Sequence, residues 1–251
     1  MSTHAGNHPG KIALVTGANK GIGLETARQL GRQGVTVVVA ARDQNKAGQA
    51  AAALQAEGID AQPLKLDVTS TADIQAAAAF LDRKFGRLDI LINNAGINAE
   101  RGFTGNNSQT VTQAELRQTF DTNFFGLIEL TQALLSLLKK SPAGRIVNLT
   151  SILGSLTLHA DPNSPIANSK ALAYNASKTA LNAFTIHLAD ALRNTRIKVN
   201  SAHPGWVKTE MGGAGAPMEI VDGAKTSVAL ALLADDGPTG TYSHLGKPLP
   251  W

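Results

Sequence analysis

Short runs of β-branched and aliphatic residues alternate along the chain with stretches whose apolar positions recur at helical spacing. Lys11–Val15 is the first short run. It ends in the glycine turn Thr16–Gly23, after which Ile22, Ala27 and Leu30 mark one helical face. Val35–Ala40 reads as a second strand, ending at Ala41-Arg42-Asp43, and an alanine-rich helix follows over about Asn45–Glu57. A third strand at Gln62–Leu66 ends in Asp67-Val68 and precedes a helix from about Thr71 to Phe85. The fourth strand, Leu88–Ile92, leads into Asn93-Asn94-Ala95-Gly96. The stretch from there to about Gln113 lacks a period and reads as a surface loop. A long helix is predicted over about Gln113–Lys140 with Asn123 in its middle, then a strand at Arg145–Leu149 ending in Thr150-Ser151. Gly154–Ala171 is irregular. A helix over about Ala173–Asn194, a strand at Ile197–Ala202, a helix over about Asp222–Ala234 and a short strand near Thr241–Leu245 complete the pattern.

Alternation of this kind predicts an α/β domain, a doubly wound parallel sheet of about seven strands with helices on both faces. Ligands of such sheets bind at the carboxyl ends of the strands. Gly17, Arg42, Asp67, Asn94, Ser151 and Pro204 all fall at such ends. No repeat or linker divides the chain, so 11–251 reads as one domain behind a polar tail, 1–10, that lacks a signal peptide's apolar core. Within it, about 205–221 reads as a substrate loop, with the flexible segment Gly212–Pro217 as a lid.

Composition narrows the chemistry. An apolar fraction of 43% in 251 residues suits a globular chain with a sizeable core. The absence of cysteine excludes disulfides, thiolate metal sites and a cysteine nucleophile, and fits a cytoplasmic protein. The net charge of +4 is scattered, so nucleic acid is not an expected partner. No apolar run reaches the ~18 residues of a membrane span. The histidines lack ligand spacing, so no metal is expected, and Trp206 and Trp251 read as packing residues.

Tyr174 and Lys178 stand four apart on a predicted helix and share a face. An ammonium beside a phenol favours the phenolate and lowers its pKa from the ordinary ~10, toward what an acid–base group needs. The same spacing also arises from an exposed tyrosine and a solvated lysine, so its context decides. Strand, glycine turn and helix at Gly17, Gly21 and Gly23 is a context in which a pyrophosphate can approach the backbone at a helix N-terminus. At the end of the second strand, Arg42 together with Lys20 favours a ribose carrying a 2′-phosphate, with Asp43 turned away as a helix cap. Asp67 has two open readings: acceptor from an adenine amino group, or cap of the helix starting near Thr71. Asn123, a mediocre helix former in mid-helix, suggests a specific task.

Together, Thr16-Gly17-x-x-x-Gly21-Ile22-Gly23, Asn93-Asn94-Ala95-Gly96, Asn123, Ser151, Tyr174-x-x-x-Lys178 and Pro204-Gly205 with Thr209 resemble the short-chain dehydrogenase/reductase family, in its order and over nearly everything after Gly10. The glycine turn and Pro204–Thr209 look most like its NADPH-dependent carbonyl reductases. The resemblance implies a single-domain Rossmann fold and an NADP(H)-dependent enzyme acting on a small carbonyl or alcohol substrate. It makes Tyr174 the general acid/base, Ser151 the holder of the substrate oxygen, and Lys178 the group that tunes Tyr174 and binds the nicotinamide ribose. Asn123 would hold a relay water. The cofactor would meet Gly17, Asn19, Lys20, Gly21, Ile22, Arg42, Asp67, Val68, Asn94, Ala95, Gly96, Pro204, Gly205, Val207 and Thr209. One departure is the longer stretch between Ser151 and Tyr174, which leaves Ser155 as a rival serine and makes His159 and Asp161 candidates for a substrate-site wall. The apolar surface of the helix after Asn123 predicts a homodimer or homotetramer.

Overall fold

The computed structural model describes residues 8–104 and 108–251. Eight strands form one sheet in the order β3-β2-β1-β4-β5-β6-β7-β8. They are β1 (Ile12–Val15), β2 (Thr36–Ala41), β3 (Ala61–Lys65), β4 (Ile90–Asn93), β5 (Arg145–Leu149), β6 (Lys198–Ala202), β7 (Tyr242–His244) and β8 (Lys247–Pro248). The first seven pair in parallel. The eighth, beyond the predicted seven, is a two-residue antiparallel return on β7, too short to show in the apolar pattern. The order reverses between β1 and β4, and at that switch point the carboxyl ends open a crevice.

Successive side chains point to opposite faces, which divides the core in two. Ile12 and Leu14 join one buried cluster with Val38, Leu91, Leu130 and Leu188. Ala13 and Val15 join the other with Val37, Val39, Ile92 and Leu230. Helices α1 (Gly21–Arg32), α2 (Gln44–Ala56), α3 (Thr71–Phe85), α4 (Gln113–Phe120), α5 (Gly126–Lys139), α6 (Leu156–Ala160), α7 (Leu172–Ala191) and α8 (Ile220–Ala231) cover the two faces. None of the described helices is long and apolar enough to cross a membrane.

Two predicted features differ, and one of the two readings of Asp67 falls away. The long helix is interrupted: Asp121–Phe125 forms a π-helical turn between α4 and α5, with Gly126 N–H bonded back to Asp121 O. A Cβ on Gly126 would stand 2.1 Å from Val68 O, so the wider turn and the glycine together let the helix pass the β3–α3 connection. Asp67 does not cap α3. Ser70 does, accepting from Asp73 N–H, while Asp67 Oδ1 accepts from Thr69 N–H at 2.9 Å in its own tight turn. Of the polar tail, Met1–Asn7 lies outside the described residues; the next residues are anchored, with His8 N–H donating to Gln33 O at 2.7 Å and Arg87 donating to Gly10 O at 2.6 Å.

Candidate active site

The β1–α1 turn is built for close approach. Gly17 and Gly21 have φ of +62° and +57°, which side chains disfavour. A Cβ on Gly23 would lie 2.4 Å from Asn94 Nδ2 and 2.6 Å from Gly17 O. Asn94 locks this turn: its Nδ2 donates to Thr16 O at 2.7 Å and Gly17 O at 3.3 Å. Thr16 Oγ1 accepts the N–H groups of Asn94 and Ala95 at 3.0 and 2.9 Å. Thr16 was not among the predicted site residues, since a strand-end threonine carries no signal of its own. Helix α1 starts with Lys20 at its Ncap, which offers no capping acceptor, and no acid stands in its first turn. That leaves a positive helix end facing the crevice, and the backbone geometry fits a dinucleotide's pyrophosphate. Asn19 and Ile22 are half-buried beside it.

Arg42 is exposed at the end of β2, and Asp43 turns away to cap α2, accepting from Lys46 N–H at 3.0 Å. Lys20 does not point freely toward Arg42; it pairs with Glu210. Asp67 is half-buried and Val68 buried at the end of β3, and Ala95 and Gly96 are half-buried after β4. Thr209 reaches the same turn, with its Cγ2 3.7 Å from where a Cβ on Gly21 would stand. Pro204 and Val207 are buried after β6, and Gly205 takes a φ of +93° against the Met218 side chain. The loop that follows is held at its base by Lys208 N–H to Met218 O, 2.8 Å, and by the Trp206 indole N–H to Gly212 O, 2.8 Å. Trp206 itself is exposed rather than packed in the core.

The four residues assigned chemical roles lie together beside this crevice. Tyr174 and Lys178, both buried, sit in the first half of α7. The N-terminus of α7 has no local cap; Glu100, a buried carboxylate outside the predicted set, accepts from Tyr174 N–H at 3.1 Å. The Phe103 ring meets the Tyr174 ring edge-on at 5.1 Å. Lys178 Nζ donates to Leu149 O at 2.8 Å and lies 5.6 Å from the centre of the Tyr174 ring. The expected lowering of the phenol does not hold in this arrangement. Burial pushes Tyr174 up to about 12, opposed by a hydrogen bond with the Ser151 side chain. Burial also brings Lys178 down to about 8. Burial governs both groups, and the ammonium is bonded to Leu149 O.

Ser151 is buried; its Oγ accepts from Leu153 N–H at 3.2 Å, and its hydroxyl hydrogen-bonds the Tyr174 side chain. The rival Ser155 is fully buried and caps α6, accepting from Leu158 N–H and donating to Trp251 O, each at 3.2 Å. Asn123, in the π turn, uses both amide protons, on Ile97 O at 2.8 Å and Ser177 Oγ at 3.0 Å, and its Oδ1 accepts from Ile97 N–H at 2.8 Å. A Cβ on Gly96 would come 3.4 Å from both Asn123 Oδ1 and Lys178 Nζ, which places both side chains beside that glycine. In the insert, His159 Nε2–H donates to Leu153 O at 3.0 Å, and Asp161 lies exposed.

The family model described as short chain dehydrogenase matches residues 11–219. Carbonyl reductase [NADPH] 1 of Mus musculus is 34% identical, with 96% of this chain and 98% of that protein covered. (+)-Neomenthol dehydrogenase of Capsicum annuum is 33% identical over 93% of this chain and 95% of its own. Among solved structures, an NADPH-bound carbonyl reductase from chicken fatty liver superposes with a TM-score of 0.83 at 30% identity, covering 97% of this chain and all of that one. With a glycine-cradled helix end and a buried serine, tyrosine and lysine at the carboxyl ends of one parallel sheet, this chain belongs to the short-chain dehydrogenase family.

Proposed function

We propose that this protein is an NADP(H)-dependent carbonyl reductase, reversible as an alcohol dehydrogenase, acting on ketones or aldehydes. The observation that carries the reading is the meeting of Ser151, Tyr174 and Lys178 beside the glycine cradle. The similarity to carbonyl reductases at full coverage supports the substrate class. NADPH, when bound, supplies the hydride.

As hydride reaches the carbonyl carbon, the carbonyl oxygen becomes an alkoxide, a far stronger base than a phenolate. Tyr174, held as the neutral phenol by its burial, gives its proton to that oxygen. The Ser151 hydroxyl, hydrogen-bonded to Tyr174 in the absence of substrate, turns its proton to the oxygen where the charge develops. Lys178 places positive charge by the resulting phenolate, and its two unused protons can meet a ribose. In oxidation the proton returns from the alcohol to Tyr174. Asn123 serves a relay through its backbone carbonyl or the second lone pair of Oδ1, because its amide protons are already bonded. Lys20, released from Glu210, and Arg42 would hold a 2′-phosphate. The segment 205–221 acts as the substrate loop. Leu127, Leu130, Leu134 and Leu138 of α5 are spent on the core, so the support for a homodimer or homotetramer narrows to Phe125, more than half exposed, the partly exposed Ile128 and the exposed Ile186 on α7.

The test is NADPH and, separately, NADH consumption followed by absorbance with an activated aryl ketone, in the wild type and in Tyr174→Phe. NADPH should be preferred. Tyr174→Phe should lose about 10²–10⁴-fold in kcat while still binding NADPH. Preference for NADH would overturn the phosphate reading, and turnover surviving in the variant would overturn the acid role.

A further inference from the structure

The peptide unit joining Ser151 to Ile152 is held at both edges by side chains from elsewhere in the fold. Its carbonyl, Ser151 O, accepts from the Tyr242 hydroxyl at 2.7 Å. Its amide, Ile152 N–H, donates to His203 Nδ1 at 3.1 Å. In a trans peptide the C=O and N–H point in opposite directions, so two such partners fix the plane against rotation. What they fix is ψ of Ser151, at 150°, and hence the direction in which its side chain leaves the backbone. The remaining freedom, about χ1, is restrained by Leu153 N–H on Oγ.

Both partners are themselves immobilised. Tyr242 is 2% exposed on β7, paired in register with Ser201, and its ring stacks on Trp251 at 5.3 Å. His203 is 7% exposed directly after β6, and its ring lies 4.9 Å from that of His244, whose Nδ1–H donates to His203 O at 2.9 Å. Because His203 Nδ1 accepts, its proton resides on Nε2. Burial first, and His244 second, bring its pKa down to about 3, so it keeps that acceptor at working pH. The same Nδ1 faces Gly205 N–H at 3.4 Å, which ties the serine to the turn after β6.

We propose that His203 and Tyr242 are positioning residues that clamp the Ser151–Ile152 peptide and so aim the Ser151 hydroxyl at the substrate oxygen. This rests on the carbonyl-reductase reading for Ser151. The test compares Tyr242→Phe and His203→Phe, which keep a ring and remove one hydrogen bond, with His203→Asn, whose Oδ1 stands near the place of Nδ1. A misaimed hydroxyl should lower kcat for the aryl ketone by about 10- to 100-fold in both Phe variants, with the NADPH dissociation constant within about two-fold of wild type. His203→Asn should recover most of the loss. In a Ser151→Ala background the Phe substitutions should cost nothing further, because residues acting through one group are not additive. Full kcat in both Phe variants, or losses that multiply with Ser151→Ala, would overturn the clamp. If the wild type reduces no carbonyl, the functional reading has failed instead. The clamp is then judged by hydrogen exchange at Ile152 N–H, whose protection should drop in His203→Phe; unchanged protection refutes it.

Discussion

Strands β1 and β2 bury little but isoleucine, alanine, leucine and valine, whereas β5 and β6 bury Arg145, Asn148, Asn200 and Ser201. In the first half of the sheet, neighbours meet through apolar contact, and polar groups gather at the strand ends where the glycine turn lies. In the second half, polar side chains reach across strands. Asn93 Nδ2 donates to Asn148 Oδ1 at 2.9 Å and Thr131 Oγ1 at 3.0 Å; Asn148 Nδ2 donates to Thr185 Oγ1 at 2.9 Å, and Ser201 Oγ donates to the same oxygen at 2.9 Å. Thr185 lies on α7, the helix that carries Tyr174 and Lys178. The buried network thus ties α7 to β4, β5 and β6. Hydrophobic burial is non-directional and tolerates small shifts, whereas a buried hydrogen-bonded network permits few arrangements. A cradle can therefore be made from backbone and glycine, whereas the placing of Ser151, Tyr174 and Lys178 draws on a polar scaffold.

That contrast can be broken by mutation. Leu14→Ala, fully buried in the apolar half, should cost about 2–5 kcal/mol through a cavity and leave kcat of the folded enzyme nearly unchanged. Asn148→Leu should cost about 1–3 kcal/mol, because Asn93 Nδ2 loses a partner, and should also lower kcat by misplacing α7. Adding Asn93→Leu should restore part of the stability, since the Thr131 and Thr185 hydroxyls keep their own backbone acceptors, Leu127 O and Leu181 O. Urea unfolding measures these three variants and Asn93→Leu alone. Strictly additive losses at Asn93 and Asn148 would mean that the network is only packing.

The same contrast explains what could be read in advance. Alternating apolar runs and helical periods marked seven strands and the principal helices because burial there repeats with the backbone. The glycine turn and Tyr174-x-x-x-Lys178 could be singled out because each is a local spacing, and Ser151 because it ends a strand where the family resemblance expects a serine. Glu100, His203 and Tyr242 were not. Each acts through one hydrogen bond to a backbone group far along the chain, 74, 51 and 91 residues away, and no local spacing encodes such a contact. The π turn at Asn123 was hidden for a related reason, since the requirement for it sits in Val68 O, on another element.

Burying a lysine in the polar half has a signature in pH. The Lys178 pKa falls from its ordinary 10.5 to about 8 on folding. Between those values the unfolded chain holds a proton that the folded one has released, so this group makes stability rise with pH from about 8 upward. Its slope cannot exceed about 1.4 kcal/mol per pH unit. Tyr174, raised from 10.0 to about 12, works the other way above pH 10, so pH 8–10 is the window to measure. In Lys178→Met the rise across that window should shrink, by urea unfolding at each pH. An unchanged slope would mean that Lys178 stays charged in the folded protein.

The two halves also meet at the mouth of the crevice, where Lys20 of the glycine turn pairs with Glu210 of the loop after β6. Both side chains are largely exposed, 67% and 80%, so water screens the pair and its effect is small. Lys20 holds the Glu210 carboxyl below its usual range, with a smaller contribution from Lys46, so the acid is charged at neutral pH and competes with any phosphate for Lys20. Glu210→Gln removes the competitor without shortening the side chain. NADPH should then bind more tightly by less than about five-fold at low salt, with NADH binding unaltered. At about 1 M salt, where the screening length is ~3 Å, the gain should vanish. Equal gains for NADPH and NADH would show that the pair restrains the loop instead, and that the halves communicate through loop position rather than through the charge on Lys20.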